Sequence, residues 1–158
     1  MTIVVTGATG QLGRLVVESL LRRGASPTDV VATGRDEARL AELATSGVRT
    51  TVTDYADAAS LAAAFQGADR VLLISGSEVG QRLPQHTSVV EAAKAAGVRQ
   101  LLYTSISHAD TAQMALATEH RETERVIRES GIPFTFLRNS WYLENYLPPA
   151  PTYPEHGG

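Results

Sequence analysis

The residues best suited to binding chemistry form a glycine-rich run near the start of the chain, GATGQLG over residues 7–13. Gly7 permits a tight turn, Gly10 lets the backbone approach a ligand closely, and Gly13 lets a following helix pack against a strand. N–H groups and the positive dipole at the start of a helix attract phosphate groups. The run therefore predicts a pyrophosphate site formed by Gly7, Thr9, Gly10, Gln11, Leu12 and Gly13.

The end of the second predicted strand indicates which dinucleotide is bound. NAD enzymes usually place an acid there, where it accepts hydrogen bonds from the ribose 2′-hydroxyl. Here Gly34 takes that position and Arg35 follows it. A guanidinium suits a 2′-phosphate, so we expect NADPH in preference to NADH. Asp36 could serve a ribose instead, but a helix cap is the favoured interpretation.

Two further loops lie at carboxyl ends of predicted strands, where open α/β sheets bind their ligands. Asp54 follows the third strand and could reach the adenine, or it could start a helix. Ser75, Gly76 and Ser77 follow the fourth strand, and their small size would let the backbone approach the cofactor. The alternative for this second loop is a simple turn.

Candidate catalytic groups follow the fifth strand. Ser105 could polarise a substrate carbonyl, although it could equally satisfy local backbone groups. His108 could relay a proton, although a surface loop histidine is the more ordinary interpretation. His120, on the fifth helix, could contact the nicotinamide ribose, or belong to a solvated helix face. For His86 we expect packing or capping.

Aromatic residues follow the sixth strand. Trp141, Tyr142 and Tyr146 could form a platform for a flat substrate ring, or could cover the core. Asn139 could donate a hydrogen bond to a substrate oxygen or to the nicotinamide amide, with a turn residue as the alternative. These residues are the predicted substrate side of the site.

The positioning elements alternate between short β-branched runs and amphipathic segments. Strands are predicted at residues 3–6, 29–33, 49–53, 70–75, 100–104 and 134–138, and helices at 11–23, 37–45, 57–65, 84–96 and 112–130. This alternation predicts an α/β fold, a doubly wound Rossmann sheet with helices on both faces and strand order 3-2-1-4-5-6. Residues 1–147 would form the NAD(P)-binding domain, and residues 148–158 a proline-rich tail or linker.

Composition excludes several classes of protein. The net charge of -3 argues against broad electrostatic binding to nucleic acid or acidic membranes, and no apolar run has the length of a membrane span. The chain has no cysteine and only 4 scattered histidines, so we expect no disulfide, thiolate or metal site. These features, and an N-terminus without a signal peptide, predict a cytoplasmic protein.

Three segments resemble the NmrA-like atypical short-chain dehydrogenases, and most of all their NAD(P)H:quinone oxidoreductase type 2 group: residues 7–13, with Gly-x-x-Gly-x-x-Gly spacing, 74–82 and 137–146. The resemblance implies an oxidoreductase that binds NADPH and reduces a quinone by two electrons. It also implies a seventh strand and a C-terminal lobe beyond Gly158, so the chain resembles a truncated member. Without that lobe, the exposed edge of the sheet would favour poor folding or self-association, including a homo-oligomer.

The fifth helix departs from the short-chain dehydrogenase pattern. Leu116 and His120 occupy the places of the usual Tyr-x-x-x-Lys pair. A quinone tolerates this loss, because hydride transfer leaves an aromatic hydroquinone anion that a weak donor can protonate. The same loss fits an alternative function, a redox-sensing regulatory protein that binds NADP(H) without turnover. Both functions stay open at the level of the sequence.

Overall fold

A computed structural model describes residues 1–78 and 80–145 of the chain. Six strands alternate with five helices, and short 3₁₀ turns lie at Pro27–Asp29 and Leu143–Asn145. The elements are β1 (Ile3–Val5), α1 (Gln11–Arg22), β2 (Val30–Gly34), α2 (Glu37–Ala44), β3 (Arg49–Val52), α3 (Ala58–Phe65), β4 (Arg70–Leu73), α4 (Arg82–Ala95), β5 (Gln100–Ile106), α5 (Ala115–Ser130) and β6 (Phe134–Asn139).

The strands form one parallel sheet of order β3-β2-β1-β4-β5-β6, which confirms the predicted Rossmann topology. Val4 of β1 lies opposite Val31 of β2 on one side and Val71 of β4 on the other. The strand order therefore reverses at β1, and a crevice opens there beyond the carboxyl ends of the strands. Every predicted binding loop among the described residues follows one of these strand ends.

Two apolar layers hold the helices to the sheet. Successive strand residues point to opposite faces, so Val4 joins one layer and Val5 the other. Buried residues of α3, α4 and α5 pack on the first face, and those of α1 and α2 on the second. Leu61, Phe65, Tyr103 and Ile127 are among the largest fully buried side chains of the first layer. Both faces of the sheet are therefore covered, as a parallel sheet requires.

Helix boundaries follow local chemistry. Asp36 accepts a hydrogen bond from the Arg39 N–H, so the predicted cap is confirmed, and Asp57 caps α3 in the same way by accepting from the N–H groups of Ala59 and Ser60. Helix α4 begins at Arg82, two residues before the predicted start, since proline is tolerated in a first turn. Helix α5 begins only at Ala115, because a turn at residues 108–112 returns two N–H groups to the His108 carbonyl. Each of the five helices is followed within a few residues by a glycine with positive φ: Gly24, Gly47, Gly67, Gly97 and Gly131.

Strand β6 forms one edge of the sheet. It pairs with β5, and its Phe134 and Leu137 side chains stay about two-fifths exposed (40% and 39%). No helix in the described part of the chain is long and apolar enough to cross a membrane. The predicted proline-rich tail and Tyr146 lie outside the described residues.

Candidate functional site

The glycine run forms a main-chain cradle between β1 and α1. Gly7 has φ of +60°, which favours glycine, and its carbonyl accepts a hydrogen bond from the Gly10 N–H at 3.0 Å. A Cβ on Gly13 would lie 2.6 Å from the Ala8 Cα and nearer still to the Gly7 carbonyl oxygen. A Cβ on Gly10 would meet only that oxygen, at 3.4 Å, so Gly10 borders open space. The cradle therefore fits a group that approaches the backbone, such as a phosphate.

The first cavity opens at the carboxyl ends of β1, β2, β3 and β4. Most predicted cofactor-binding residues line it: Gly7, Thr9, Gly10, Arg35, Asp54, Ser75, Gly76 and Ser77. Four others lie elsewhere, one of which, His120, lines a second cavity described below. Gln11 lines a groove between α1 and α2, Leu12 lines the same second cavity, and buried Gly13 packs α1 on the glycine turn. The structure thus brings the loops after four strands together around one space.

The end of β2 has no room for the acid that NAD enzymes place there. A Cβ on Gly34 would lie 2.6 Å from the Thr9 hydroxyl oxygen. Arg35 lines the first cavity and pairs with Glu78 across it at 2.8 Å, with both side chains exposed. Asp36 is occupied as the cap of α2. A guanidinium is therefore the charged group that β2 presents to a ligand.

The loop after β4 is held by side chains in place of a strand neighbour. The Ile74 N–H donates to the Thr6 hydroxyl, and the Tyr55 hydroxyl donates to the Ile74 carbonyl at 2.8 Å. The Ser75 N–H donates to the Thr104 hydroxyl at 2.9 Å. Strand β4 accordingly ends at Leu73, two residues before the predicted end. The sequence analysis did not predict that the hydroxyl groups of Thr6 and Tyr55 hold the Ile74 peptide, because both residues lie at or just after the ends of predicted strands and show no motif.

Gly76, in the same loop, is held at both polar atoms by α4. Its N–H donates to His86 Nε2 at 3.0 Å, and its carbonyl accepts from Arg82 Nε at 2.6 Å. Arg82 also pairs with Glu119 of α5. Burial, followed by the charges of His120 and Arg82, lowers the pKa of His86 to about 3. His86 is therefore a neutral acceptor at physiological pH.

The second cavity adjoins the first along Ile74–Ser77 and is bounded by α5 and the end of β6. Predicted residues that line it are Leu12, Ser75, Gly76, Ser77, Ser105, His120, Asn139, Trp141 and Tyr142. Leu116, at the place of the usual tyrosine, also lines it. Trp141 and Tyr142 are about half exposed, at 53% and 42%, so these rings do not serve as core cover. The Asn139 amide donates to the Tyr142 hydroxyl at 2.9 Å, which ties the two residues together.

His120 lies at the wall of the second cavity with one ring nitrogen engaged. Its Nδ1 lies 2.6 Å from the hydroxyl of Tyr103, which is fully buried in the sheet. Burial and the nearby Arg82 lower the pKa of His120 to about 4. Burial also raises the pKa of Tyr103 above its usual range. Both groups are neutral at physiological pH, so His120 provides hydrogen bonding and no positive charge.

Ser105 is committed to a buried carboxylate. Its hydroxyl donates to Glu124 Oε1 at 2.7 Å. Arg138 binds both oxygens of Glu124, at 2.9 and 2.8 Å, and Arg128 binds Oε2 at 2.9 Å. Burial raises the pKa of Glu124, but hydrogen bonds from Arg138 and Ser105 outweigh it and hold the pKa below its ordinary value. The Ser105 proton therefore serves this ionised carboxylate, which argues against the predicted role as a carbonyl donor.

His108 lies apart from the other candidate residues. It is exposed in the turn after β5, with φ of +56°, and it lines neither cavity. Within residues 1–78 and 80–145, no three His, Asp or Glu side chains cluster as metal ligands would. The candidate site is thus built from main-chain amides, one exposed arginine, one neutral histidine and an aromatic rim.

Comparison with known proteins places this geometry in a family. The chain is 52% identical to quinone oxidoreductase 2 of Escherichia coli over 98% of its length, and covers 54% of that protein. The structure of the NADPH-dependent quinone oxidoreductase QOR2 of E. coli complexed with NADPH superposes with a TM-score of 0.93, at 52% identity. That superposition covers 99% of this chain and 55% of the other. The chain therefore spans about half the length of these relatives.

A third relative is the Citrobacter sp. triphenylmethane reductase complexed with NADP(H). It superposes with a TM-score of 0.92 at 37% identity, over 99% of this chain and 56% of that chain. A family model described as NAD(P)H-binding matches residues 7–153, which include the glycine cradle and every residue that lines the first cavity. The chain therefore belongs to the NAD(P)H-binding family.

Proposed function

We propose that this chain binds NADPH and supports the two-electron reduction of a quinone by hydride transfer. The observation that carries the proposal is the pair of adjoining cavities at the reversal point of the sheet. One offers main-chain phosphate chemistry and an arginine, and the other an aromatic rim. The names of the two E. coli relatives, a quinone oxidoreductase and its NADPH complex, support the same cofactor and substrate class.

The first cavity would hold the phosphate-bearing part of the cofactor. Gly7 and Gly10 would bring main-chain N–H groups and the start of α1 to the pyrophosphate. Arg35 would exchange Glu78 for the 2′-phosphate, since a guanidinium binds a dianion more strongly than a single carboxylate. Asp54 and the loop at Ser75–Ser77 would border the remainder of the nucleotide.

The second cavity would orient the nicotinamide and the substrate. When bound, the reduced nicotinamide supplies the hydride. His120 would offer its second ring nitrogen to the ribose or to a substrate oxygen, because Tyr103 holds the first. Asn139 would donate to the quinone oxygen or the nicotinamide amide, and Trp141 and Tyr142 would hold a flat ring at near-attack distance. A hydroquinone anion is weakly basic, so a neutral donor or water suffices for its protonation.

A titration followed by a turnover assay tests the proposal. We expect calorimetry to show tight binding of NADPH and weaker binding of NADH to the 158-residue chain. Oxidation of NADPH with a simple benzoquinone should then exceed the uncatalysed rate, in this chain or in a longer form carrying the same residues. Failure to bind either nucleotide would contradict the cofactor proposal, and binding without turnover in the longer form would contradict the enzymatic one.

A specific observation favours a second function, a redox-sensing regulator that binds NADP(H) without turnover. Leu116 takes the usual tyrosine position in the second cavity, and the Ser105 proton is held by Glu124. The second cavity thus lacks the tyrosine acid of typical short-chain dehydrogenases. This function predicts affinity for NADP⁺ equal to or greater than that for NADPH, together with a protein partner whose binding changes with the redox state.

A further inference from the structure

Two side chains of α4 hold the peptide that separates the two cavities. Ser75, Gly76 and Ser77 line both spaces, so the path of this loop shapes both. Arg82 and His86 lie one turn apart on α4 and reach the carbonyl and the N–H of Gly76, respectively. Both side chains are buried, and His86 is wholly so. Because glycine has no Cβ, its backbone dihedral angles are less restricted than those of other residues, so contacts to its N–H and carbonyl are what fix this peptide.

The direction of each hydrogen bond around His86 follows from its partners. The Gly76 N–H donates, so Nε2 of His86 carries no proton. The Thr123 hydroxyl donates to the Glu119 carbonyl at 2.9 Å, so it must accept from Nδ1 of His86, at 3.0 Å. The imidazole is therefore a single tautomer, with its proton on Nδ1. The other tautomer would set two N–H donors against each other at Gly76.

Helix α5 reinforces the same arrangement. Glu119 pairs with Arg82 and also accepts the Gly80 N–H at 2.7 Å, just beyond the cavity loop. Thr123, one turn further along α5, fixes the tautomer of His86. Two consecutive turns of α5 thus support the two residues of α4 that hold Gly76. Burying these polar side chains between α4 and α5 costs desolvation free energy. Apolar side chains at the same places would pack the two helices without that cost.

We propose that His86 and Arg82 are positioning residues that fix the Gly76 peptide between the two cavities, and that the affinity for the dinucleotide depends on this fixation. The inference rests on the proposed function, because it assumes that one dinucleotide extends through both cavities. His86 lines neither cavity, and its hydrogen bond to the cavity loop is the one it accepts from the Gly76 N–H; its edge contact with the Tyr55 ring is one that phenylalanine would keep. Its contribution is to hold the loop in the bound shape before the ligand arrives, so that binding carries no cost of ordering it.

The first test needs no cofactor. In the ¹⁵N-labelled chain, we expect the Nδ1–H tautomer of His86, and a scalar coupling across the hydrogen bond between the Gly76 amide nitrogen and His86 Nε2. A His86 ring protonated on Nε2, or a Gly76 amide that exchanges with solvent as fast as an open loop, would overturn the proposal. This result is independent of whether NADPH or a quinone is the ligand.

The second test measures NADPH affinity by calorimetry in two variants. His86→Phe keeps an aromatic ring but removes the acceptor, so we expect affinity to fall about tenfold, as for the loss of one buried hydrogen bond. His86→Gln places an amide oxygen near the position of Nε2, so its affinity should stay within about threefold of the parent chain. Equal affinity in the parent chain and His86→Phe would overturn the proposal, as would equal losses in both variants.

A matched control separates positioning from general loss of stability. Ile127→Val removes one buried methyl group from α5, and Ile127 lines neither cavity. It should lower the unfolding midpoint while leaving NADPH affinity unchanged. If it weakens binding as much as His86→Phe, the effect is one of stability and the proposal fails. If the parent chain itself binds no NADPH, the proposed function fails, and the cofactor-free measurement still reports whether Gly76 is held.

Discussion

The glycine cradle and the loop after β4 border the same cavity, but they are built in opposite ways. The cradle consists of main chain, and its shape depends on missing side chains at Gly7, Gly10 and Gly13. The loop after β4 is also short and contains glycine, but four side chains hold its peptides: Thr6 after β1, Thr104 of β5, and His86 and Arg82 of α4. A binding surface that depends on glycines can be recognised in a short stretch of sequence. A loop that is held by side chains far away in the chain cannot be recognised in that way.

The largest expected effect comes from filling the cradle. Gly13→Ala places a Cβ against the Ala8 Cα and the Gly7 carbonyl, both backbone atoms that cannot rotate away. We expect a loss of stability of roughly 1–3 kcal/mol and loss of nucleotide binding, measured by thermal unfolding and calorimetry. Gly10→Ala is the matched control, since its Cβ meets only one atom at 3.4 Å. It should fold normally and lose affinity alone, and equal unfolding of the two variants would contradict this picture.

In the part of the site that side chains hold in place, we expect substitution of Glu124 to cause the largest loss of folding stability. Glu124→Gln removes the buried carboxylate that Arg138 and Arg128 bind, and because both arginines are partly exposed to solvent we expect a loss of stability of about 1–2 kcal/mol. Because the folded pKa of Glu124 lies below its unfolded value of about 4.3, its contribution is full above that pH and is lost as pH falls through the folded pKa. Unfolding measured at pH 7 and at pH 3 should therefore differ less in the variant than in the parent chain.

Substitution of Arg35 tests whether its positive charge selects NADPH over NADH. Arg35→Ala should weaken NADPH binding by about tenfold or more, the value of charge-assisted hydrogen bonds to phosphate, and should leave NADH nearly unchanged. Calorimetry with both nucleotides at two salt concentrations checks this, since Arg35 is exposed and its contribution should shrink with salt. Arg49→Ala, at the opposite end of the sheet, should change neither affinity. Equal losses for NADPH and NADH would refute the assignment.

The two buried histidines, His86 and His120, give the folding stability a second pH dependence. The folded pKa values of His86 and His120, about 3 and 4, lie below the unfolded value of about 6.5. The unfolded state therefore binds more protons, and stability falls as pH drops below about 6.5, by at most about 1.4 kcal/mol per pH unit for each histidine. His120→Asn should reduce this slope between pH 6.5 and 5. An unchanged slope would mean that His120 titrates normally.

We expect the smallest effect from substitution of Asp36, which tests whether its carboxylate only caps α2 or also contacts a ligand. Asp36→Ala removes the hydrogen bond to the Arg39 N–H and should lower stability by about 1 kcal/mol. Because the carboxylate is used by α2, affinity for NADH should not change. Asp57→Ala, the equivalent cap of α3, provides the control and should behave alike. A selective loss of NADH binding in Asp36→Ala would show that the carboxylate also reaches the ribose.

Local chemistry was sufficient to predict the fold and the first cavity. The alternation of β-branched runs with amphipathic segments predicted all six strands and five helices, with boundary errors of a few residues where side chains replace backbone partners, as at Ser75. The residues at strand ends converge because parallel strands end at one edge of the sheet. Ser105 shows the limit, because its commitment to Glu124 depends on a helix 19 residues away in the chain.

The strand order, the glycine cradle and an arginine next to the position where NAD enzymes carry an acid could all be predicted from the sequence, because each depends on short-range sterics or on a regular period. Only the tertiary structure shows which polar atoms are engaged in internal hydrogen bonds and are therefore not free to bind a ligand. Glu124 takes the Ser105 proton, Tyr103 engages His120, and α4 holds Gly76. Such hydrogen bonds join residues far apart in the chain, and a buried polar group takes whichever partner the packing brings within reach.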